Sequence, residues 1–146
     1  MKFLKRINKA AVLFLIGAAA YAAIEMLFRG HTHWTMAVLG GLLFLALGGI
    51  NEWMPWKMPL AFQCCVGAGI VTAAELCAGL ILNVWLGLGI WDYSDMPGNI
   101  LGQICPQFLA AWLGLSLVAI LLDDWLRYWL WNEARPQYTI FRRTKV

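Results

Sequence analysis

Charge is scarce in this chain, and it is missing in blocks. Residues 30–51 carry no Asp, Glu, Lys or Arg, residues 58–91 carry only Glu75, and residues 96–122 carry none. Only 13% of the 146 residues are charged and 62% are hydrophobic, against about 25% and roughly 45–50% in an ordinary soluble domain. Such runs are long enough to cross the ~30 Å hydrocarbon core of a bilayer as helices. A water-soluble globule is therefore excluded, and the composition points to an integral membrane protein in one domain, residues 1–146.

Other absences narrow the function. The four cysteines, Cys64, Cys65, Cys77 and Cys105, all lie in apolar runs and form no C-x-x-C pair. They read as buried free thiols, which behave as small apolar side chains. There is no glycine-rich phosphate loop, so the chain holds no ATPase of its own. There is no G-x-S-x-G elbow either. No cofactor and no metal site is expected. His31 and His33 are the only histidines, and a zinc site would need further ligands such as Glu25 or Asp92. The net charge is +3, but the basic residues sit at the two ends and are not interleaved with aromatics as a nucleic-acid face requires.

That end placement has a meaning of its own. Lys2, Lys5, Arg6 and Lys9 open the chain, and Arg135, Arg142, Arg143 and Lys145 close it. Cytoplasmic flanks of membrane helices collect Lys and Arg, so both termini are placed inside and the number of spans must be even. Met1 to Ala22 has the look of a secretory signal, with Ala20-Tyr21-Ala22 as a cleavage-like site. The apolar pattern continues through Phe28, however, which favours a full span.

These readings give an all-α membrane protein of four transmembrane helices, at about 8–29, 33–51, 59–85 and 99–130, with a basic, loosely ordered cytoplasmic tail at 132–146. A single helix from Pro59 to Trp91 would be ~50 Å long, so the third is expected to end near 83–86. Residues 86–99 would then form a partly buried outer loop. Pro106 is expected to kink the fourth helix. Gly40-Gly41 and Gly48-Gly49 predict close packing of the second helix. Asp123 and Arg127 are spaced to pair on one helix face. Tyr21-Ala-Ala-Ile-Glu25 followed by Leu39-Gly40-Gly41 is echoed by Thr72-Ala-Ala-Glu75 followed by Leu101-Gly102-Gln103. This suggests two tandem hairpins related as parallel repeats.

The acids within spans are the leading functional candidates. Ionisable groups in hydrocarbon are costly and usually face the bundle interior. Glu25 and Glu75 fit that pattern, although Glu25 is also placed to pair with Arg29. Asp92 lies between Trp91 and Tyr93, either as a cation site walled by rings or as a cap on the loop backbone. Asn83, Gln103 and Gln107 are polar groups inside spans, expected chiefly to hydrogen-bond between helices. Together Glu25, Glu75, Asp92, Trp91, Tyr93, Asn83 and Gln103 form the candidate substrate-binding set.

Tyr21-x-x-x-Glu25, Arg29-Gly30-His31-x-His33-Trp34, Gly40-Gly41, Glu75, Gly79, Asn83 and above all W-D-Y-S at 91–94 with Asn99-x-x-Gly102-Gln103-Ile104 carry a resemblance. They are similar to the small membrane proteins described as Putative ABC-transporter type IV (CmpB-like), over about residues 20–120. The resemblance implies a permease-like membrane domain served by a separate ATPase subunit. It assigns no catalytic residues. The expectation is thus a transport protein of the inner membrane, a permease subunit or small standalone transporter for a cationic or polar solute, acting as a homo-oligomer. Two alternatives stand beside it. One is a membrane enzyme acting on a lipid or headgroup through Glu25, Asp92 and His33. The other is a non-catalytic scaffold.

Overall fold

The computed structural model describes residues 1–140. Its helices are α1 (Lys2–Arg29), α2 (Trp34–Gly48), the short α3 (Ile50–Trp53), α4 (Leu60–Gly79), which runs on as a π-helical segment Leu80–Trp85, and α5 (Pro106–Trp131). With α2 and α3 taken together, and α4 with its π extension, there are among the described residues 4 helical spans long and apolar enough to cross a membrane. The fold is all-helical, and among the described residues there is no strand.

Each helix has a local reason to start or stop. Gly30 takes φ 72°, a left-handed conformation that favours glycine, and its N–H donates to the Met26 carbonyl to close α1. His33, in extended backbone, starts α2 by accepting from the Thr35 N–H on its side chain. Pro59 precedes α4, where its missing N–H is harmless. Pro106 is the first residue of α5, a position that suits proline for the same reason. It therefore begins the helix, where the sequence suggested a kink. The expected start at residue 99 shifts to 106, and the loop extends over residues 86–105. At the other end α1 begins at Lys2, because no breaker separates the basic residues from the apolar run.

The packing is built on small residues. Gly40 lies against Tyr21, Gly41 against Phe14 and Gly17 against Phe44, so α1 and α2 touch closely along their length. Gly48 on α2 lies against the Asp123 carboxyl of α5, and a Cβ at Gly67 of α4 would come within 2.8 Å of Ser116 Oγ. Helix α2 meets α1, α4 and α5 and is the most buried span. Leu43, Leu47, Ile50, Ala68, Val71 and Ile120 form the centre of the apolar core. Cys64 and Cys105 are buried, but Cys65 and Cys77 are exposed on the helix surface. Those two correct the expectation that all four thiols are interior.

The bundle has two ends. One carries the turn at residues 30–33 and the long loop 86–105. The other carries α3, the start of α1 and the segment after α5. There Arg127 Nε donates to Asp123 Oδ2 at 2.6 Å, as the spacing implied. Its guanidinium also lies 3.7 Å from Glu52 and 3.9 Å from Glu133. Asp123 Oδ1 has no hydrogen-bond partner among the described residues. Asp124 accepts from Asn51 Nδ2 at 2.7 Å and from the Tyr138 hydroxyl at 2.9 Å. Lys9 pairs with Glu133, and the Leu60 N–H donates to the Thr139 carbonyl at 2.7 Å. The segment 132–140 is thus tied to α1, α4 and α5, which corrects the expectation of a loose tail over that stretch. Arg142, Arg143 and Lys145 lie outside the described residues.

Candidate functional site

The loop 86–105 is held by its own side chains. Asp92 Oδ1 accepts from the Ser94 N–H at 2.9 Å and from the Ser94 hydroxyl. Asn99 Nδ2 donates to the Ser94 and Met96 carbonyls at 3.1 and 2.9 Å, while its Oδ1 accepts from the Gly102 N–H at 3.0 Å. The Tyr93 N–H donates to the Gly102 carbonyl at 2.7 Å. Gly102 has φ 69°, and a Cβ there would come within 2.9 Å of Asp92 Oδ1. A left-handed turn under the Asp92 carboxylate leaves little room for a side chain. The Trp91 ring is 4% exposed and its Nε1–H donates to the Gln103 carbonyl at 3.0 Å. The W-D-Y-S and N-x-x-G-Q segments therefore interlock as one buttressed loop.

Asn83 and Gln103 belong to that buttress. Asn83 Nδ2 donates to Gln103 Oε1 at 2.9 Å, and Asn83 Oδ1 accepts from the Ile90 N–H at 2.7 Å. The π-helical turns at Leu80–Trp85 carry Asn83, and such turns are often found at functional sites. The pair ties the end of the third span to the loop but does not line the cavity described next.

Between this loop and the helix ends lies a cavity of about 770 Å³. Glu25, Glu75, Trp91, Asp92 and Tyr93 all line it, so the structure brings five of the seven sequence candidates together. Glu75 is 4% exposed and has the most constrained surroundings. Its Oε2 accepts from Trp112 Nε1 at 2.9 Å, and its Oε1 accepts from the Tyr93 hydroxyl at 3.2 Å. The Tyr93 ring stacks on Phe108 with centroids 4.7 Å apart. Burial and the neighbouring Glu75 carboxylate push the Tyr93 phenol up from its ordinary value. It keeps its proton and can donate it. Two neutral donors replace part of the hydration that burial removed. Among the described residues, no Lys, Arg or His lies within ion-pairing distance of Glu75.

Among the described residues, Arg29 is the one basic side chain in the cavity wall, and it is engaged elsewhere. Its guanidinium lies 3.3 Å from both Glu25 oxygens and donates to the Ile90 carbonyl at 2.7 Å. Glu25 thus fulfils its structural reading and also faces the cavity. Asp92 and Asp95 lie at the exposed rim. Hydrogen bonds from the Ser94 hydroxyl and N–H hold the Asp92 carboxyl below the usual carboxylate range, so it stays ionised. Asp92 therefore caps the loop and adds negative charge to the cavity mouth. His31 and His33 do not line the cavity. His31 Nδ1 lies 2.9 Å from the Arg29 carbonyl, and His33 starts α2.

Sequence reasoning missed Trp112, Phe108 and Arg29 as wall residues. Trp112 gave one usable signal: an indole N–H in mid-span needs an acceptor, since buried Trp is nearly always paired. Its partner was 37 positions away, beyond what helical spacing reveals.

The family model described as Putative ABC-transporter type IV matches residues 9–141, and the chain belongs to that family. No curated protein and no solved structure matches significantly. Family membership and four apolar spans together support a role in membrane transport for a multi-pass protein in a bilayer.

Proposed function

We propose that the chain is the membrane-spanning part of a transport system whose solute is a small organic cation, received in the loop-end cavity with Glu75 as its counter-charge. The observation that carries this reading is Glu75 itself, a buried carboxylate facing a large cavity with neutral donors and, among the described residues, no ion-pair partner. A charge in such a place costs several kcal/mol. An ammonium group entering the cavity would offset part of that cost. The Tyr93, Phe108 and Trp112 rings would add cation–π attraction of about 2 kcal/mol where water is excluded. Asp92 and Asp95 at the rim disfavour anions and draw cations in.

Four finer readings go with it. The lack of a phosphate-binding loop calls for a separate ATPase subunit, with this chain as permease. The basic ends favour a terminal face in the cytoplasm, with the cavity on the outer face of the inner membrane. Helix α1 buries only Leu13 and Gly17, and its bare flank suits a second copy of the chain. In the sequence, Glu25 and Glu75 each closely follow an Ala-Ala pair and precede a glycine, which supports an internal repeat. The deciding experiment is equilibrium binding of tetramethylammonium to the purified protein, with its uncharged carbon isostere beside it. Binding of the cation alone, weakened at least ~10-fold (~1.4 kcal/mol) in Glu75→Gln, is expected. Equal binding of cation and isostere, or no effect of the substitution, overturns the reading.

A further inference from the structure

A second hollow adjoins the first. It measures about 110 Å³ and lies between α1, α2 and α5, and Tyr21, Ile24, Trp112 and Leu115 line both spaces. From those shared residues it descends to Gly17 on α1, Phe44 and Leu47 on α2, and Leu122 on α5. Apart from the two shared aromatic residues, its walls are aliphatic side chains, Phe44 and glycine backbone. Helix α1 packs chiefly on α2, and α5 packs on α2 and α4, so α1 and α5 flank an opening toward lipid. From Trp112 to Leu122 the groove runs ten residues along α5, which is ~15 Å at the helical rise. That length matches one extended alkyl chain of roughly ten to twelve carbons, of which a cavity of about 110 Å³ encloses only part, so the chain would lie along the groove with its outer side against lipid.

We infer that the transported solute is a single-chain cationic amphiphile, whose alkyl tail lies in the α1–α5 groove while its ammonium head reaches Glu75 from the side of the bilayer. This rests on the reading of the cavity as a cation site. The occupant follows from the join of the two spaces. Charge complementarity assigns the head, since Glu75 is buried with no ion-pair partner among the described residues. The lack of any charged wall residue in the groove assigns the tail. Small residues keep the groove open from both sides: Gly17 and Ala20 on α1, and Ala119 on α5. A solute entering this way would pass between helices and need not cross the loop 86–105.

The test uses the intact protein in lipid nanodiscs and a dodecyl-trimethylammonium probe with a photoreactive diazirine at the tail's far end. After irradiation, labelled residues are mapped by peptide mass spectrometry. Label is expected on the groove walls, around Val118 and Leu122 of α5 and Gly17 of α1. Excess tetramethylammonium should reduce it to the level seen in Glu75→Gln, because the head is displaced. Ala119→Phe and Ala20→Phe fill the groove from opposite walls and should each remove the label while leaving tetramethylammonium binding unchanged. If one variant fails to fold, the other still decides. Label spread over all lipid-facing helix surfaces and indifferent to tetramethylammonium means the groove holds ordinary lipid. That result overturns the inference while leaving the cavity reading intact, provided tetramethylammonium itself binds. Absence of tetramethylammonium binding removes both.

Discussion

The hydrogen bond between Trp112 and Glu75 can be measured by a double-mutant cycle. Trp112 Nε1 donates to Glu75 Oε2 at 2.9 Å, with Glu75 4% exposed and Trp112 9% exposed. A hydrogen bond to a charged group contributes about 1.5–3 kcal/mol. Trp112→Phe should lose that amount, plus about 1 kcal/mol for the smaller ring in the core. Glu75→Leu should lose a similar amount, because the indole N–H is then buried without an acceptor. With both substitutions the indole N–H and the carboxylate go together, while the Tyr93 hydroxyl loses its acceptor equally in Glu75→Leu and in the double variant, so that loss cancels in the cycle. The cycle should therefore return a coupling of about 1.5–3 kcal/mol, well above the ~0.5 kcal/mol scatter of independent sites. The assay is reversible unfolding in mixed micelles of increasing denaturing-detergent fraction, followed by tryptophan fluorescence with single-mutant controls. Losses that simply add would refute the claim that Trp112 positions the Glu75 carboxylate.

Three other substitutions probe the frame of the bundle. Gly40→Val forces a side chain into Tyr21 across the α1–α2 seam and should cost about 1–3 kcal/mol in the same titration. Gly69→Ala, whose Cβ meets nothing within 4 Å, should be neutral or stabilising by about 1 kcal/mol; equal effects would show that the seam is looser than described. Tyr138→Phe removes the hydroxyl that reaches Asp124. It should speed proteolysis within residues 132–140 severalfold and cost about 1 kcal/mol, and unchanged cleavage would mean that Tyr138 does not fasten this segment.

The spans were legible because the signal is local. A charge-free run such as 30–51 needs no partner to declare itself apolar, and it forms α2 and α3. Glu75 was legible for the opposite reason, as one acid in a long apolar stretch. The start of α5 was not. Ile100, Leu101 and Ile104 look like the helix that follows, and what unwinds them is a set of bonds from Asn99 and Gly102 back to Tyr93 and Ser94. Proline at 106 was a fair signal for a first helical position, but the apolar run around it suggested continuity. Asn83 and Gln103 were legible as polar groups that hydrogen-bond between segments, and Asn83 does donate to Gln103, but that this bond braces the loop was not. Side-chain chemistry alone does not tell whether an amide faces a solute or the back of the loop that holds it. Tyr138 and Asp124 met through tertiary folding alone, with no periodicity to announce the contact.

The two ends of the bundle treat buried acids differently, and the contrast bears on function. Asp123 lies on Gly48 with Arg127 bonded to it, in a space already filled by protein. Its charge is balanced within the chain even though one oxygen lacks a donor. Glu75 could have been closed in the same way, since Arg29 lines the same cavity. Instead Arg29 is bonded to Glu25 and to the Ile90 carbonyl, which fixes it to the loop. Glu75 is left with an indole and a phenol, donors that orient a carboxylate without neutralising it. A purely structural acid has no need of about 770 Å³ of open space in front of it. A buried carboxyl held by neutral donors, with no ion pair among the described residues and facing a void, is the arrangement that the proposed cation site calls for.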